Sequence, residues 1–559
     1  MKKTLWILVL AAGMLLPASC KKYLTIQPQG TLSEEQSFKA APDAITAING
    51  LYSLMLPLAD QIFITGELRG ELVSDARGAD VWIKEFTDNR VTSSNPYCDY
   101  TKFYRLIIAC NRTLEGLDQI IKNDPVNYNR NIYLINKAEA YYIRAWTYLQ
   151  ITKIWGDVPY ITTSVTKAED VSNLPVTKSE TIIKNILKDA ENNFVYLQTL
   201  SATSLGASND FLLTSGQWRD SNSRVFLAEL YLYDQNYQKA LETMRNIFPL
   251  GAQNNTTADG SNAQAELGMV TGQFTQWTIG FDRSSGNYNK QVVMALNYDA
   301  TKGQTNNLMK WTNNKYGAAY AVRPSSFIIN DWRKQPMSLQ QYQTGPSGYF
   351  INETNNFGSN VAQGQEVMGS DGYPVIGGYG DNYRAERGSY MVDGGDTLIS
   401  KYLMKSRGVF KSPLIGDRYA DNDAFFDLYR DGPVYLMGCE MLNNAGQSGQ
   451  ALLYLNGGAY YAYIYKGPRY RVGVAPVKID VTSSVSIHDQ VEKFILEEFA
   501  LESAFEGRRW FDLVRFAKRN NDASILANAV ARKYPLSQQG AIKARLMDRK
   551  NWYLPVYKK

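Results

Sequence analysis

The 559-residue sequence predicts a mainly α fold: a TPR-like scaffold of helical pairs, interrupted by one long, loop-rich and partly β insertion. Apolar residues recur at three- and four-residue spacing in two separate regions, about 30–250 and 420–530. Within them, small residues fall where two helices joined by a short polar turn would cross, as in a tetratricopeptide (TPR) unit. Between them, from about 250 to 420, the chain is rich in Gly, Asn, Ser and Tyr and loses any helical period, which reads as loops with short strands.

The amino end comes first. Lys2 and Lys3 precede an apolar run from Leu5 to Leu16, and Pro17-Ala18-Ser19-Cys20 follows. This reads as a signal peptide over 1–19 with a lipobox-like boundary, so Cys20 is expected to be acylated and to anchor the mature chain by lipid. No later apolar run approaches the ~20 residues of a membrane span, so a tethered chain outside the bilayer is expected. Residues 20–559 are expected to form a single domain.

Along that domain, Pro42-Asp43-Ala44 opens a helix with Ile45, Ile48, Leu51, Tyr52 and Met55 on one face. A long helix follows over about 132–154, carrying Ala138, Tyr141, Ala145, Tyr148 and Leu149, and Trp155-Gly156-Asp157-Val158-Pro159 stops it. Thr177 and Glu180 read as a capping box ahead of Ile182, Ile183, Ile186, Leu187, Ala190 and Phe194. One helical hairpin is expected from Val225 to Met244 around Asp234-Gln235-Asn236, and another from Val434 to about Tyr463 around Asn443-Asn444-Ala445-Gly446.

Composition excludes several function classes. A formal charge of +5 without a long basic stripe argues against nucleic acid. Beyond Cys20 only Cys98, Cys110 and Cys439 remain, with no CxxC and a single histidine, His488. A zinc site of ordinary spacing and a disulfide framework are therefore excluded, and His488, at the start of an expected helix, reads as structural. No cofactor and no metal is expected. A surface glycosidase would need two carboxylates, but none of the 54 Asp and Glu stand out as a pair, so no catalytic residue is assigned.

Several segments resemble the SusD-like (RagB/SusD) family, in order and spacing. They are Cys20-Lys21-Lys22-Tyr23-Leu24 with Pro28; Ser37-Phe38, Asp43-Ala44 and Gly50-Leu51-Tyr52; Phe103, Tyr104, Ile107, Asn111 and Leu114; and Trp155-Gly156-Asp157-Val158-Pro159. The fullest likeness lies near the carboxyl end, in Ile495-Leu496-Glu497-Glu498, Glu502 and Phe505-Glu506-Gly507-Arg508-Arg509-Trp510-Phe511-Asp512-Leu513-Val514-Arg515, with Phe499 where the family often has Arg. Read from its own spacing, that stretch is an amphipathic helix in which Glu506 can reach Arg509 and Arg508 can reach Asp512. The resemblance implies a TPR-like scaffold at the cell outer membrane, a SusC-like TonB-dependent transporter as partner, and an oligosaccharide, or in some members a peptide, as ligand.

A neutral sugar presents an apolar C–H face and a rim of hydroxyls, so its receptor needs an aromatic platform edged by polar groups. The chain holds 38 Tyr and 10 Trp against 21 Phe, a bias toward aromatics with a polar handle. Candidate platforms are Trp82, Trp277, Trp311 and Tyr316, each among polar residues, with Arg69, Glu71 and Asn89 as a polar rim for Trp82. The segment from Val73 to Asn95 is expected to be loop-like, leaving Trp82 little core to join.

Overall fold

The structure is a computed structural model, and it describes residues 38–165, 171, 173–198, 216–245, 292–314, 319–336, 365–368, 374–376, 379–381, 384–385, 389–402, 424–457, 467–472 and 474–558. It is mostly helical with small two-stranded sheets, as expected. Helix α1 (Ala41–Met55) has Pro42 in its first turn, and the Asp43 carboxylate accepts the N–H groups of Lys39 and Ala40. It buries Ala44, Ile48, Leu51 and Met55, while Ile45 is 58% exposed, so the buried face starts one residue away from the one expected. A 3-10 turn (Leu56–Leu58) leads into α2 (Ala59–Glu67). Contrary to the expectation of no such run, Ala41–Glu67 is long and apolar enough to cross a membrane. It is a core element here: Gln61 through Glu67 are all buried in the fold.

The segment after α2 is not loop-like, which corrects the expectation for 73–95. Strand β1 (Val73–Asp75) is followed by α3 (Val81–Thr87), whose N-terminus is capped by Asp80 accepting from Ile83 N at 2.8 Å. The apolar period was too short to see: one face of two turns holds Ile83, Phe86 and the methyl of Thr87. Helix α4 (Thr101–Asn123) packs against α5 (Arg130–Trp155). Trp155 donates its indole N–H to Cys98 O at 3.1 Å, and Gly156 ends the helix with φ 75°. Strand β2 (Val158–Pro159) then pairs with β3 (Val176–Thr177), and the next helix begins at Ser179, so Lys178 and not Thr177 is the residue before it. Helix α6 (Ser179–Gln198) instead has the N–H of Ser179 held by Asp157 at 3.0 Å.

The first expected hairpin is present, and the second is present as far as Asn456, its expected end near Tyr463 lying outside the described residues. Helices α7 (Asp220–Tyr233) and α8 (Tyr237–Met244) turn through Gln235, whose φ is 59°. The insertion is bracketed by an antiparallel pair, β4 (Val292–Leu296) with β10 (Phe426–Arg430). Within it lie α9 (Leu308–Thr312), β5 (Val322–Pro324) paired antiparallel with β1, α10 (Ser326–Arg333), the pair β6 (Glu366–Met368) and β7 (Pro374–Ile376), and the hairpin β8 (Tyr390–Asp393) and β9 (Asp396–Ile399). Next come α11 (Asp431–Asn444) and α12 (Ser448–Asn456), the second hairpin, and α11 packs on α8.

A short α13 (Pro468–Arg471) precedes α14 (Ile487–Glu502), α15 (Arg509–Arg519), α16 (Ala523–Ala531) and α17 (Leu536–Met547). One apolar cluster joins the two helical regions, with Phe63, Trp146, Phe226, Leu436, Phe499 and Trp510 among its members. A tight join lies between α2 and the turn before α15. Glu67 accepts the N–H groups of Phe505 and Gly507 at 2.8 and 2.9 Å, and a Cβ on Gly66 would lie 1.9 Å from the carbonyl oxygen of Gly507. That approach requires glycine at 66.

The expected Glu506 to Arg509 pair does not form. Phe505 and Gly507 have φ of 70° and 73°, so the chain turns before α15 and Glu506 lies outside the helix. Glu506 pairs with Lys401 at 2.6 Å and Arg430 at 2.8 Å, whereas Arg508 does reach Asp512 at 2.9 Å. Phe499 lies under the guanidinium groups of Arg508 and Arg515, at 4.9 and 5.7 Å. Cys98, Cys110 and Cys439 are buried and free.

Candidate functional site

The residues expected to edge Trp82 with polar groups lie inside the protein, which corrects that part of the reading. Arg69 is 4% exposed, and its guanidinium stacks on Trp510 at 3.7 Å. It donates to Asn89 Oδ1 at 3.2 Å, to Trp552 O at 2.7 Å and to Asn551 O. Burial without a carboxylate beside it brings its pKa down to about 9. Asn89 adopts the left-handed backbone at φ 53° and spends its amide on Arg69 O and Tyr534 Oη. Glu71 accepts from Arg509 at 2.6 Å and Arg532 at 3.0 Å; burial alone would raise its carboxyl, but the two guanidinium groups overcome this and hold it at about 2. All three residues bind the amino-terminal region to α15–α17, leaving no polar rim of that composition around Trp82.

The surface beyond them is assembled from four elements. Trp311, half-buried on α9, stacks parallel on Phe63 of α2 (6.2 Å between centroids, 13° between planes) and meets the edge of Tyr97 at 6.3 Å. Tyr97 follows the Asn95-Pro96 turn, where Asn95 Oδ1 accepts its N–H, and its ring touches Phe86 of α3 at 6.1 Å. Trp82 rises from the first turn of that same helix. It is half-buried, and among the described residues no ring stacks on it. Asn95 ties its turn to α3 by donating to the Trp82 carbonyl at 3.1 Å and to Glu85 at 3.0 Å. Trp82 and Trp311 therefore stand on two elements that both pack against Tyr97.

Polar groups flank these rings. Asp60 accepts the backbone N–H and the side-chain amide of Asn307 at 3.0 and 2.6 Å. Asp80 is exposed and uses one oxygen as the α3 cap. Burial, then the charges of Asp80 and Asp60, push the Tyr97 phenol up to about 12, so it is a neutral donor and acceptor throughout the physiological range. Burial also raises the Asp60 carboxyl, with the Asn307 donors opposing it. The arrangement offers apolar ring faces at the boundary of solvent, edged by the Tyr97 hydroxyl and the exposed Asp80 carboxylate, with Asp60 and Asn307 paired to each other beside them. Such a surface can hold a polyhydroxylated ring by stacking and hydrogen bonding.

Trp82 and Trp311 thus stand on elements that each contact Tyr97, α3 through Phe86 and α9 through Trp311 itself, while Cys20, Trp277 and Tyr316 lie outside the described residues. Tyr97, Asp60 and Asn307 were not singled out from the sequence. The only local signal for Tyr97 is the Asn-Pro turn before it, and Asp60 and Asn307 meet across 247 residues of chain. Among the described residues no cluster of three metal-ligating side chains occurs, and His488 pairs only with its neighbour Asp489 at 2.9 Å, just inside the Ser486 cap of α14.

Comparison with known proteins covers nearly the whole chain. A family model described as "SusD family" matches residues 275–559, and one described as "Starch-binding associating with outer membrane" matches residues 22–204. A SusD-like protein of Formosa agariphila is 23% identical over 92% of this chain and 91% of its own length, and a second from the same organism is 24% identical over 88% and 87%. Among solved structures, a SusD superfamily protein of Bacteroides thetaiotaomicron superposes with a TM-score of 0.61 at 17% identity, covering 93% of this chain and 96% of its own. A laminarin-binding SusD-like protein does so with a TM-score of 0.55 at 15% identity, with the same coverage.

Proposed function

This chain belongs to the SusD family, and on that premise we propose that it is an outer-membrane surface protein that captures oligosaccharides and hands them to a SusC-like TonB-dependent transporter. The observation that carries the reading is the half-buried Trp311 and Tyr97 pair at the edge of solvent, with Trp82 on the neighbouring helix and Asp60, Asp80 and Asn307 around them. The family description of starch binding at the outer membrane and the laminarin binding of one structural relative support a glucan-like ligand. Acylation of Cys20 would tether the chain at the membrane, where a lipid anchor leaves the whole folded surface free to meet the transporter.

The work asked of the site is binding and release. Ring stacking supplies an apolar contact that tolerates different sugars, and the neutral Tyr97 hydroxyl and the exposed Asp80 add direction, while both oxygens of Asp60 are engaged by Asn307. A shallow, partly wet site of this kind binds in the micromolar to millimolar range, about −8 to −4 kcal/mol, because few groups are fully desolvated. That range suits a protein that must pass its ligand on.

Calorimetric titration with laminarihexaose, maltohexaose and a set of short peptides, together with an assay for new reducing ends, tests the reading. Saturable binding of a hexaose with no new reducing ends is the expected result. Binding of peptides alone would assign the chain to peptide uptake, and turnover of the bound glycan would make it a glycosidase.

A further inference from the structure

We propose that Asp60 and Asp396 are positioning residues for Trp311: two carboxylates that hold the two ends of the short helix from which the ring projects. The inference rests on the reading that Trp311 contacts ligand. It concerns how the fold fixes that ring, not which sugar it meets.

Helix α9 has only five residues, Leu308–Thr312. A helix of one and a half turns has too few internal hydrogen bonds to offset the cost of forming its first turn, so its geometry must come from outside. Its N-terminal side is held by Asp60. One carboxylate oxygen accepts the backbone N–H of Asn307 at 3.0 Å and the other accepts the Asn307 amide at 2.6 Å. Asn307 is the residue before the helix, and its carbonyl accepts the N–H of Trp311 at 3.0 Å. Asp60 lies one turn before Phe63 on α2, the ring on which Trp311 stacks. One turn of α2 thus fixes both the start of α9 and the plane of its indole. A second tie, Asn306 Nδ2 to Ala424 O at 2.7 Å, anchors the same approach to the interior.

The far end is held by Asp396, the first residue of β9, which the Gly394-Gly395 turn brings round from β8. Its carboxylate accepts from Asn314 Nδ2 at 2.9 Å, two residues after the helix. It also accepts from Arg77 at 2.8 Å and from Tyr320 Oη at 3.2 Å. Tyr320 leads into Ala321, whose N–H donates to the Trp311 carbonyl at 2.8 Å. Arg77 from one stretch of chain and Asn314 and Tyr320 from another converge on this one carboxylate, with Arg77 over the Tyr320 ring at 5.5 Å.

The Arg77 side chain of that pair is 59% exposed, and exposed ion pairs contribute little to global stability. Loss of either carboxylate should therefore loosen Trp311 far more than it loosens the protein. Calorimetric titration with laminarihexaose and maltohexaose and thermal melting are carried out on wild type, Asp60→Ala, Asp396→Ala, Trp311→Ala and the Asp60→Ala/Trp311→Ala double variant. Each carboxylate variant should bind about 3- to 10-fold more weakly, Trp311→Ala about 10- to 100-fold, and the melting point of the carboxylate variants should stay within about 2 °C of wild type. In the Trp311→Ala background, Asp60→Ala should cost nothing further, because it acts only through the ring. Asn307→Ala removes the amide contact from an exposed partner and keeps the backbone N–H bond, so it should weaken binding in the same direction as Asp60→Ala but by less, and it serves as the test if Asp60→Ala folds poorly. Full affinity in Asp60→Ala and Asp396→Ala beside a weakened Trp311→Ala would overturn the inference alone. Losses that multiply in the double variant would overturn it too, since Asp60 would then act on the ligand by itself. Full affinity in Trp311→Ala would instead overturn the platform reading on which it rests.

Discussion

The interior under α15 and the surface around Tyr97 are built from the same kinds of side chain, and they differ in what those side chains have left to offer. In the interior, Arg69, Glu71, Asn89, Arg509 and Trp510 form a closed set: the Arg69 guanidinium covers Trp510, Glu71 holds Arg509, and Asn89 binds Arg69. Glu71 and Arg509 are 0% and 2% exposed. At the surface, Trp82, Tyr97 and Trp311 are each half-buried, and Asp80 is exposed. The residue type alone does not separate scaffold from site, because a buried charge that is fully paired is silent toward ligand. What separates them is whether the fold has already used the polar atoms and ring faces.

The comparison breaks most sharply at Glu71. Glu71→Ala leaves Arg509 buried and unpaired and weakens Arg532, so it should cost about 3–5 kcal/mol of folding stability. Urea unfolding measures this, and the hexaose affinity of the folded fraction should stay at the wild-type value. A variant that is as stable as wild type but fails to bind glycan would move Glu71 back from the scaffold to the site.

The pH dependence of stability sharpens the same contrast, because two buried glutamates of the join are shifted in opposite directions. Glu71 is held at about 2, below its unfolded value of 4.5, so the stability it contributes is present above pH 4.5 and is lost as pH falls toward 2. Glu67 is pushed up to about 7, mainly by burial, so its contribution is complete below pH 4.5 and is lost as pH rises through 7. Each gap corresponds to about 3 kcal/mol. The summed contribution of these two residues should thus be largest near pH 4.5, so the stability advantage of wild type over Glu67→Gln should shrink as pH rises from about 5 to 8. A difference between wild type and Glu67→Gln that stays constant over that range would contradict the placement of Glu67.

The smallest effect on stability is expected at the surface. Trp82→Ala should weaken hexaose binding by about 1–3 kcal/mol, as for loss of a stacking ring, while folding stability changes by less than about 1 kcal/mol. Parallel titration and melting of the variant check this. Unchanged affinity with a stability loss of about 3–5 kcal/mol would place Trp82 with Trp510, on the scaffold side of the comparison.

The sequence by itself determined the mainly helical class, both hairpins and the long α5, because each rests on local spacing that survives any tertiary context. The turn Asp234-Gln235-Asn236 and the stop at Gly156 are of that kind. The short α3 escaped notice since its two turns carry too few apolar positions to show a period. The candidate site was legible only as a set of tryptophans, Trp82 and Trp311 among them. Tertiary structure alone decided the rest. It buried Arg69, Glu71 and Asn89 by docking α15 and the segments flanking α17 on the amino-terminal segment, more than 400 residues away in sequence, and it brought Asp60 and Tyr97 to Trp311 across the insertion boundary. Local sequence records which groups can bind a sugar or an arginine. Only the long-range packing of the chain records which of them remain uncommitted, since that depends on partners the local pattern does not contain.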